Sequence, residues 1–196
     1  MVKRATFFIM IIIAFDCYAQ TKNDVDGFLG IKWDSTIETV DETLEKKGFV
    51  YTKDYMIGYS GPFEHSGKFA GYPAIVELYF EYTPNMTSLF NKAVVYLEPP
   101  RGLLKDSYER IISDLQIVYG RPEYSIREHN ETYKDIEEAI LYDELKYETM
   151  WEFEKKNKVV CYLSRYNKYY FKIAIMYMKG TNNILNNLDE RRLSDY

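Results

Sequence analysis

The sequence predicts an α+β protein built from two tandem units, each a helix laid on an antiparallel sheet, which share or adjoin a core. Two amphipathic helical segments lie about 71 to 72 positions apart, and segments of alternating polarity follow each of them. This repetition predicts one unit over residues 20–100 and a second over residues 101–180, the second with an extra inserted helix. Residues 181–196 are predicted to be a polar C-terminal tail.

The first helix is predicted from about Thr36 to Lys47. Ser35 and Glu38 have the spacing of a capping box, in which two side chains satisfy free backbone N–H groups at the helix start. The apolar positions recur on one helical face, at Ile37, Val40 and Leu44. Gly48 follows two lysines and supplies the left-handed residue that commonly ends a helix.

The second helix is predicted from the same signals. Asp106 and Glu109 repeat the capping spacing, and Gly120 and Pro122 end the helix. Its apolar stripe is wider and consists of Tyr108, Ile111, Ile112, Leu115, Val118 and Tyr119. Both helices are therefore expected to bury one face against a sheet.

The strands are predicted from alternating and apolar runs. Ala74–Tyr82 alternates in polarity, which is typical of a half-buried strand, and KAVVYLEP follows it. Its apolar face consists of Ala74, Val76, Leu78, Phe80 and Tyr82. After the second helix, the runs TMWEFE, KVVCYLSRY and YYFKIAIMYM predict an antiparallel meander. The segment Glu131–Glu148 has apolar residues at helical spacing, at Ile136, Ala139 and Ile140, and is predicted to contain the inserted helix.

Residues 1–19 are predicted to be a signal peptide. Lys3 and Arg4 precede the apolar run Ala5–Phe15, and the small residues Cys17 and Ala19 fit cleavage after position 19. The run is shorter than the roughly 20 apolar residues that a membrane-spanning helix needs, so we expect no transmembrane segment. These features predict an exported protein of the periplasm or cell surface.

An alternative is a lipoprotein in which Cys17 is the acylated first residue. Residues 14–16 lack the upstream aliphatic residue and the small neighbour of such a site, which favours cleavage after position 19. Cys161 is then the only cysteine of the mature chain, which excludes an internal disulfide. Because Cys161 alternates with Val159 and Leu163, we predict that it is a small core residue.

The composition disfavours several classes of function. The chain has 25 Lys and Arg against 30 Asp and Glu, without a dense basic patch, so we expect no nucleic-acid partner. His65 and His129 lie far apart without further ligands at suitable spacing, so we expect no metal site. The glycines between Gly58 and Gly71 do not open a helix, so no phosphate loop and no cofactor are expected.

Two clusters could support catalysis. His65 lies beside Ser66 and Lys68, but adjacent residues rarely point at one another, and GPFEHSGKFAGY is predicted to be an exposed turn. Glu77 and Glu81 could act as general acid and base, but they alternate on the outer face of a predicted strand, where carboxylates are usually solvated. We therefore predict no catalytic residues.

Tyrosine is unusually frequent, at 20 of 196 residues. A tyrosine ring offers a large apolar plate with one polar edge, so exposed clusters make recognition surfaces. We predict a partner-binding patch at Tyr166, Tyr169 and Tyr170, in the last hairpin turn, to which Tyr51, Tyr55 and Tyr59 of the first unit could add. The alternative is that these tyrosines are ordinary strand residues, because tyrosine favours half-buried sheet positions.

Several runs together resemble known proteins. These runs are FLGIKWDSTIETVDETLEKKGF, GKFAGYPAIVELYF and YERIISDLQIVYGRP, then MWEF, IAIMYM and an Asn-rich tail. Their order resembles a group of uncharacterised secreted proteins of Gram-negative gut bacteria, over nearly all of the mature chain. The helix-then-meander unit is similar in topology to the repeat of the beta-lactamase inhibitor protein and of SmpA/OmlA outer-membrane assembly lipoproteins. Trp33-Asp34 departs from the glycine-bearing turn of such units. The resemblance implies an architecture and a location, and no catalytic residues.

The expected function is a non-catalytic binding or interaction module of the periplasm or cell surface, with a protein or glycan partner. Two alternatives remain open from the sequence. One is a hydrolase acting on envelope glycans or peptides, which needs polar residues converging in a pocket. The other is a lipid-anchored envelope assembly factor, which depends on acylation of Cys17.

Overall fold

The computed structural model describes residues 24–53, 62–85, 87–100, 102–130, 132–133, 135–142, 144–167 and 170–180. The predicted leader, Cys17, Tyr55, Tyr59, Tyr169 and the C-terminal tail lie outside these residues. The described chain contains three helices and ten strands. In chain order they are β1 (Gly27–Phe28), β2 (Ile31–Lys32), α1 (Ile37–Lys46), β3 (Val50–Lys53), β4 (Phe63–Phe69), β5 (Tyr72–Tyr82), β6 (Ser88–Leu97), α2 (Leu104–Tyr119), β7 (Tyr124–His129), α3 (Ile136–Leu141), β8 (Leu145–Glu152), β9 (Lys158–Asn167) and β10 (Tyr170–Met178).

Eight strands form one antiparallel sheet in the order β3-β4-β5-β6-β10-β9-β8-β7, and β1 and β2 pair separately. The fold is therefore α+β, as predicted, and strands dominate it. The two central strands, β6 and β10, come from distant parts of the chain and pair with Val95 opposite Ile175. The last of the described strands thus joins the strands that follow α1 to the strands that follow α2.

The core lies between the helices and one face of the large sheet. Both long helices contribute buried apolar side chains, which are Val40 and Leu44 of α1 and Leu104, Tyr108, Ile111, Ile112 and Leu115 of α2. Opposite them, the sheet contributes Val76, Leu78, Val95, Leu97, Trp151, Val159, Cys161, Ile173 and Ile175. These contacts confirm the predicted helix faces and the buried Cys161. Val118 is an exception, because it is 53 % exposed although it was predicted in the apolar stripe.

Two large buried side chains on this side of the sheet, Tyr108 and Trp151, have hydrogen-bonded polar groups. The Tyr108 hydroxyl donates to the Cys161 carbonyl at 3.3 Å and lies 3.0 Å from Thr149 Oγ1. The indole N–H of Trp151 donates to the Gly120 carbonyl at 2.9 Å. Because a buried polar group without a partner costs free energy, these bonds fix α2 and its C-terminal end on β8 and β9.

The predicted capping boxes are wrong at both helices. The N-cap residues are Thr36 and Leu103, and in the described structure neither side chain accepts a capping hydrogen bond from a backbone N–H of the first turn. The second helix begins before Asp106, so this carboxylate lies inside the first turn, where the positive end of the helix dipole still favours it. The predicted helix ends are confirmed, because Gly48 and Gly120 follow α1 and α2 with φ of 83° and 74°.

The strand predictions are confirmed for β5, β9 and β10, and incomplete elsewhere. In β5, Ala74, Val76 and Leu78 are buried on one face, while Tyr82 at the strand end is 74 % exposed. The run 63–69, predicted to be an exposed turn, is the strand β4, and β7 was not predicted. The inserted helix is shorter than its predicted segment, because β8 already begins at Leu145.

We expect Ile111→Ala in α2 to lower the free energy of unfolding by about 2–5 kcal/mol, because a large side chain that is 1 % exposed leaves a cavity under the helix. Ile117→Ala in the same helix removes the same atoms from a side chain that is 75 % exposed, and is expected to change it by less than about 0.5 kcal/mol. Urea denaturation of both variants provides the measurement. Equal losses would contradict the placement of α2.

Candidate binding face

The face of the large sheet opposite the helices is the main candidate site, and we call it the outer face. It consists of Tyr79 of β5, Val94 and Tyr96 of β6, Ala174, Met176 and Met178 of β10, Val160 and Tyr162 of β9, and Met150 of β8. Register places these side chains next to one another: Met176 lies opposite Val94 on one side and opposite Val160 on the other. The outer face is therefore a contiguous patch across five strands.

The outer face has an apolar centre and an aromatic margin. Val94 is 3 % exposed, Ala174 is fully buried and Met176 is 8 % exposed. The rings of Tyr79, Tyr96 and Tyr162 are half-buried around this centre. Aromatic and methionine side chains are enriched in protein interfaces, because they bury large areas and adapt to irregular surfaces.

Charged side chains hold the tyrosine rings in place. Glu77 Oε2 accepts a hydrogen bond from the Tyr79 hydroxyl at 2.8 Å and a longer one from Tyr96 at 3.4 Å. Lys92 Nζ lies 3.6 Å from the centroid of the Tyr79 ring, within the range of a cation–π contact. Burial and the neighbouring Tyr162 and Glu77 raise the pKa of Tyr96, so its hydroxyl stays a hydrogen-bond donor.

Two further polar pairs lie on the outer face. Lys172 is buried in the central strand β10, and its Nζ lies 3.1 Å from Glu98 Oε1. The Tyr124 hydroxyl donates to Glu148, which is buried on β8. A recognition surface whose polar groups already have partners loses less side-chain entropy when it binds. The outer face is thus preorganised for an apolar and aromatic contact.

The two carboxylates considered for catalysis, Glu77 and Glu81, lie in different environments. Glu77 is half-buried and accepts tyrosine hydroxyl hydrogen bonds, so the expectation of a solvated side chain is wrong for this residue. Glu81 is exposed, and a β-bulge between Tyr79 and Phe80 separates the two acids along β5. The geometry gives Glu77 a structural role in orienting Tyr79.

His65 and its neighbours lie in β4, and the predicted exposed turn is wrong. Because successive side chains of a strand point to opposite faces, Ser66 and Lys68 lie on the side of the sheet opposite to His65. The His65 side chain is fully buried under α1. This alternation excludes a nucleophile and base formed by His65 and Ser66.

The imidazole of His65 contacts a carboxylate of α1. Its Nε2 lies 3.1 Å from Asp41 Oδ1, and the Tyr51 ring contacts it edge-on with the centroids 5.1 Å apart. Among the described residues, neither ring nitrogen has a well-aligned hydrogen bond. Burial lowers the pKa of His65, while Asp41 and Glu45 oppose this shift. Burial raises the pKa of Asp41 in turn.

We expect the stability of the protein to fall as the pH drops below about 6.5, the ordinary pKa of histidine. Below this value the unfolded chain binds a proton at His65 that the folded chain does not bind, because burial depresses the folded-state pKa. The slope for one proton is at most about 1.4 kcal/mol per pH unit. Denaturant titrations at several values between about pH 5 and 8, the range in which histidine titrates, measure the free energy of unfolding at each pH.

His65→Gln is expected to remove this part of the pH dependence. His129→Gln serves as the matched control, because His129 is exposed on the edge strand β7. The opposite result would contradict this interpretation. If His129→Gln reduced the pH dependence of the free energy of unfolding and His65→Gln did not, the buried imidazole would not be the responsible group.

An open cleft of about 320 Å³ lies where α2 begins, beside the end of β7 and the start of α3. Polar and apolar side chains line it, namely Leu104, Lys105, His129, Asp135, Ile136 and Glu137, together with Gly102. The two carboxylates of the cleft accept hydrogen bonds from backbone N–H groups. Asp135 Oδ1 accepts one from the Glu138 N–H at 2.7 Å, and Glu137 Oε1 accepts one from the Gly102 N–H at 3.2 Å. These carboxylates therefore hold the start of α3 and the linker before α2.

The tyrosines selected from the sequence are only partly described. The backbones of Tyr166 and Tyr170 lie in β9 and β10, at the hairpin predicted from RYNKYYF, but their side chains and the whole of Tyr169 lie outside the described part. Tyr51 packs against His65. The tyrosines of the outer face were missed, although their alternation with charged residues in ELYFEY and VVYLE was a usable signal.

No protein-family model, curated protein or solved structure matches the chain. The resemblance inferred from the sequence therefore stays a prediction. Across the described residues, no three His, Cys, Asp or Glu side chains are placed so that they could hold a metal ion. None of the helices in that part of the chain is long and apolar enough to cross a membrane.

Proposed function

We propose that the protein is an exported, non-catalytic binding module whose outer face meets a protein partner. The observation that supports this proposal is the contiguous patch of three tyrosine rings and three methionines around Val94 and Val160. The centre of this patch is buried and its three tyrosine rings are half-buried, and aromatic and methionine side chains are enriched in protein interfaces.

The chemistry of the outer face favours a protein over a small substrate. Glu77 and Lys92 are engaged with the tyrosine at its margin, so they orient an aromatic surface and do not converge on a reacting atom. Carbohydrate also stacks on aromatic rings, so a glycan is the second partner class that this surface fits. The hydrolase alternative has its best location in the cleft beside α3, where both carboxylates bond backbone N–H groups.

We further propose that the chain contains two tandem helix-plus-sheet units, the second with α3 inserted. Each long helix precedes four strands that are consecutive in the sheet order. The buried pairs Val40 with Ile111, and Leu44 with Leu115, have the same separation in sequence, in agreement with the repeat seen in the helix pattern. The units meet where β6 pairs with β10, the last strand of each.

The export proposal predicts a mature chain that begins at Gln20. Expression of the full sequence in a Gram-negative host, followed by fractionation and mass spectrometry, is expected to recover this product from the periplasm or cell surface. The resemblance to secreted proteins of Gram-negative gut bacteria supports the choice of host. A product that begins at an acylated Cys17 would favour the lipid-anchored assembly factor, and an unprocessed cytosolic product would contradict export.

We expect a photo-crosslinking amino acid at Tyr79 or Tyr162 to give the same adduct in cell envelopes, because both positions lie on the outer face. The same amino acid at Ile117 or Val118 is the control, since these side chains are exposed on α2. A protease-sensitive adduct from the outer-face positions alone would support a protein partner, and a protease-resistant one a glycan. Adducts from α2 alone, or none at all, would contradict the proposal.

A further inference from the structure

In the described part of the chain, the buried side-chain polar atoms that lack a hydrogen bond lie together under α1. They are His65 Nδ1, His65 Nε2 and Asp41 Oδ1. Nε2 and Oδ1 face each other at 3.1 Å, and the His65 side chain is fully buried. Because a buried polar group without a hydrogen bond costs free energy, this contact between β4 and α1 is a weak point in the docking of the helix.

The surroundings of His65 are acidic on the helix side and uncharged on the strand side. In register, Tyr51 of β3 and Val76 of β5 lie opposite His65, and the Tyr51 ring contacts the imidazole edge-on. Among the described residues, the charged and titratable side chains around this contact are Asp41, Glu45 and Glu38 of α1 and Tyr51 of β3. The charge on the imidazole therefore acts mainly on the contact with α1.

Protonation of His65 makes this contact less favourable. A neutral imidazole has a single N–H, which can be directed at Asp41, whereas the imidazolium has two N–H groups. With α1 docked, the imidazolium also buries an N–H at Nδ1, which has no acceptor among the described residues. Burial of the charge itself is the main reason that the pKa of His65 is lowered. When α1 leaves the sheet, both N–H groups reach water.

Of the two long helices, α1 is held more weakly. It contributes two buried side chains to the core, whereas α2 contributes six. It also has like charges four residues apart, Glu38 with Glu42 and Asp41 with Glu45, and such pairs destabilise a helix. Below it, β3 lies at one end of the sheet order, and its pairing with β4 is irregular. We therefore expect α1 to leave the sheet at a lower cost in free energy than α2.

We propose that the contact between His65 and Asp41 makes the docking of α1 sensitive to pH. Protonation of His65 releases α1 from β3 and β4, while α2 and the strands beneath it stay folded. The release exposes Val40 and Leu44, the two buried side chains of α1, and the sheet residues below them. This conformational change concerns the side of the sheet opposite to the outer face, so it does not depend on the proposed function.

The direction of the effect follows from proton binding. With α1 released, His65 has its ordinary pKa near about 6.5, so below this pH the released form binds a proton that the docked form does not. Asp41 acts in the opposite direction at lower pH, because burial raises its pKa and the docked form then binds the extra proton. The release of α1 is therefore expected between about pH 7 and 5.

Hydrogen–deuterium exchange of the purified protein, followed by mass spectrometry of its peptides, measures the protection of each helix. The exchange rates are first corrected for the intrinsic effect of pH on amide exchange. Between about pH 7.5 and 5.5, the protection of peptides from α1 is then expected to fall several-fold, with about tenfold as the limit for one histidine proton. Peptides from α2 are expected to keep their protection over the same range.

Three variants identify the responsible group. His65→Gln is expected to abolish the loss of protection in α1, and His129→Gln, at an exposed position of β7, is expected to retain it. Asp41→Asn keeps the imidazole and removes the carboxylate that opposes its lowered pKa, so acid is expected to release α1 at least as strongly as in the parent protein.

Four results would overturn the proposal: no loss of protection in α1, an equal loss in α2, an unchanged response in His65→Gln, or a weaker response in Asp41→Asn. If His65→Gln does not fold, the comparison of α1 with α2 in the parent protein still decides between release of one helix and unfolding of the whole chain.

Discussion

The pairing of β6 with β10 is the contact on which the rest of the structure depends. It joins the four strands after α1 to the four strands after α2, and it puts Val95 and Ile175, both fully buried, at the centre of one continuous core. On the other side of the same two strands, Val94 lies opposite Met176. Without this pairing, each half would expose an edge strand that is apolar on both faces, and such edges promote aggregation.

The composition of the strands matches their position in the sheet order. The central strands β6, β9 and β10 are apolar on both faces, whereas the edge strand β7 has Arg127, Glu128 and His129 and is mostly exposed. Arg127 in turn forms a bidentate pair with Glu109 of α2, at 2.6 and 3.0 Å, which fastens the helix to the edge of the sheet. The central strands are thus buried on both faces, and the polar strand β7 lies at an edge of the sheet.

The helix faces and the strand β5 could be predicted from the sequence, because in them burial follows a local period of 3.6 or 2 residues. The strand β4 could not, because its residues have the composition of a turn and its structure depends on pairing with β3 and β5. Gly67 illustrates this dependence. A Cβ atom there would lie 2.5 Å from Cδ1 of Phe49, so the glycine that indicates a loop locally makes room for a buried ring.

The outer face shows a different limit of sequence analysis. KVVCYLSRY and YYFKIAIMYM are almost continuously apolar, so alternation cannot tell which side chains face the helices. The register resolves it: Cys161 and Ile175 pair inside the core, and Val160 and Met176 pair outside it. Because the described helices pack on one side of this sheet, the apolar side chains on the other side form a separate cluster. This outer cluster therefore follows from strand order combined with composition, and from neither alone.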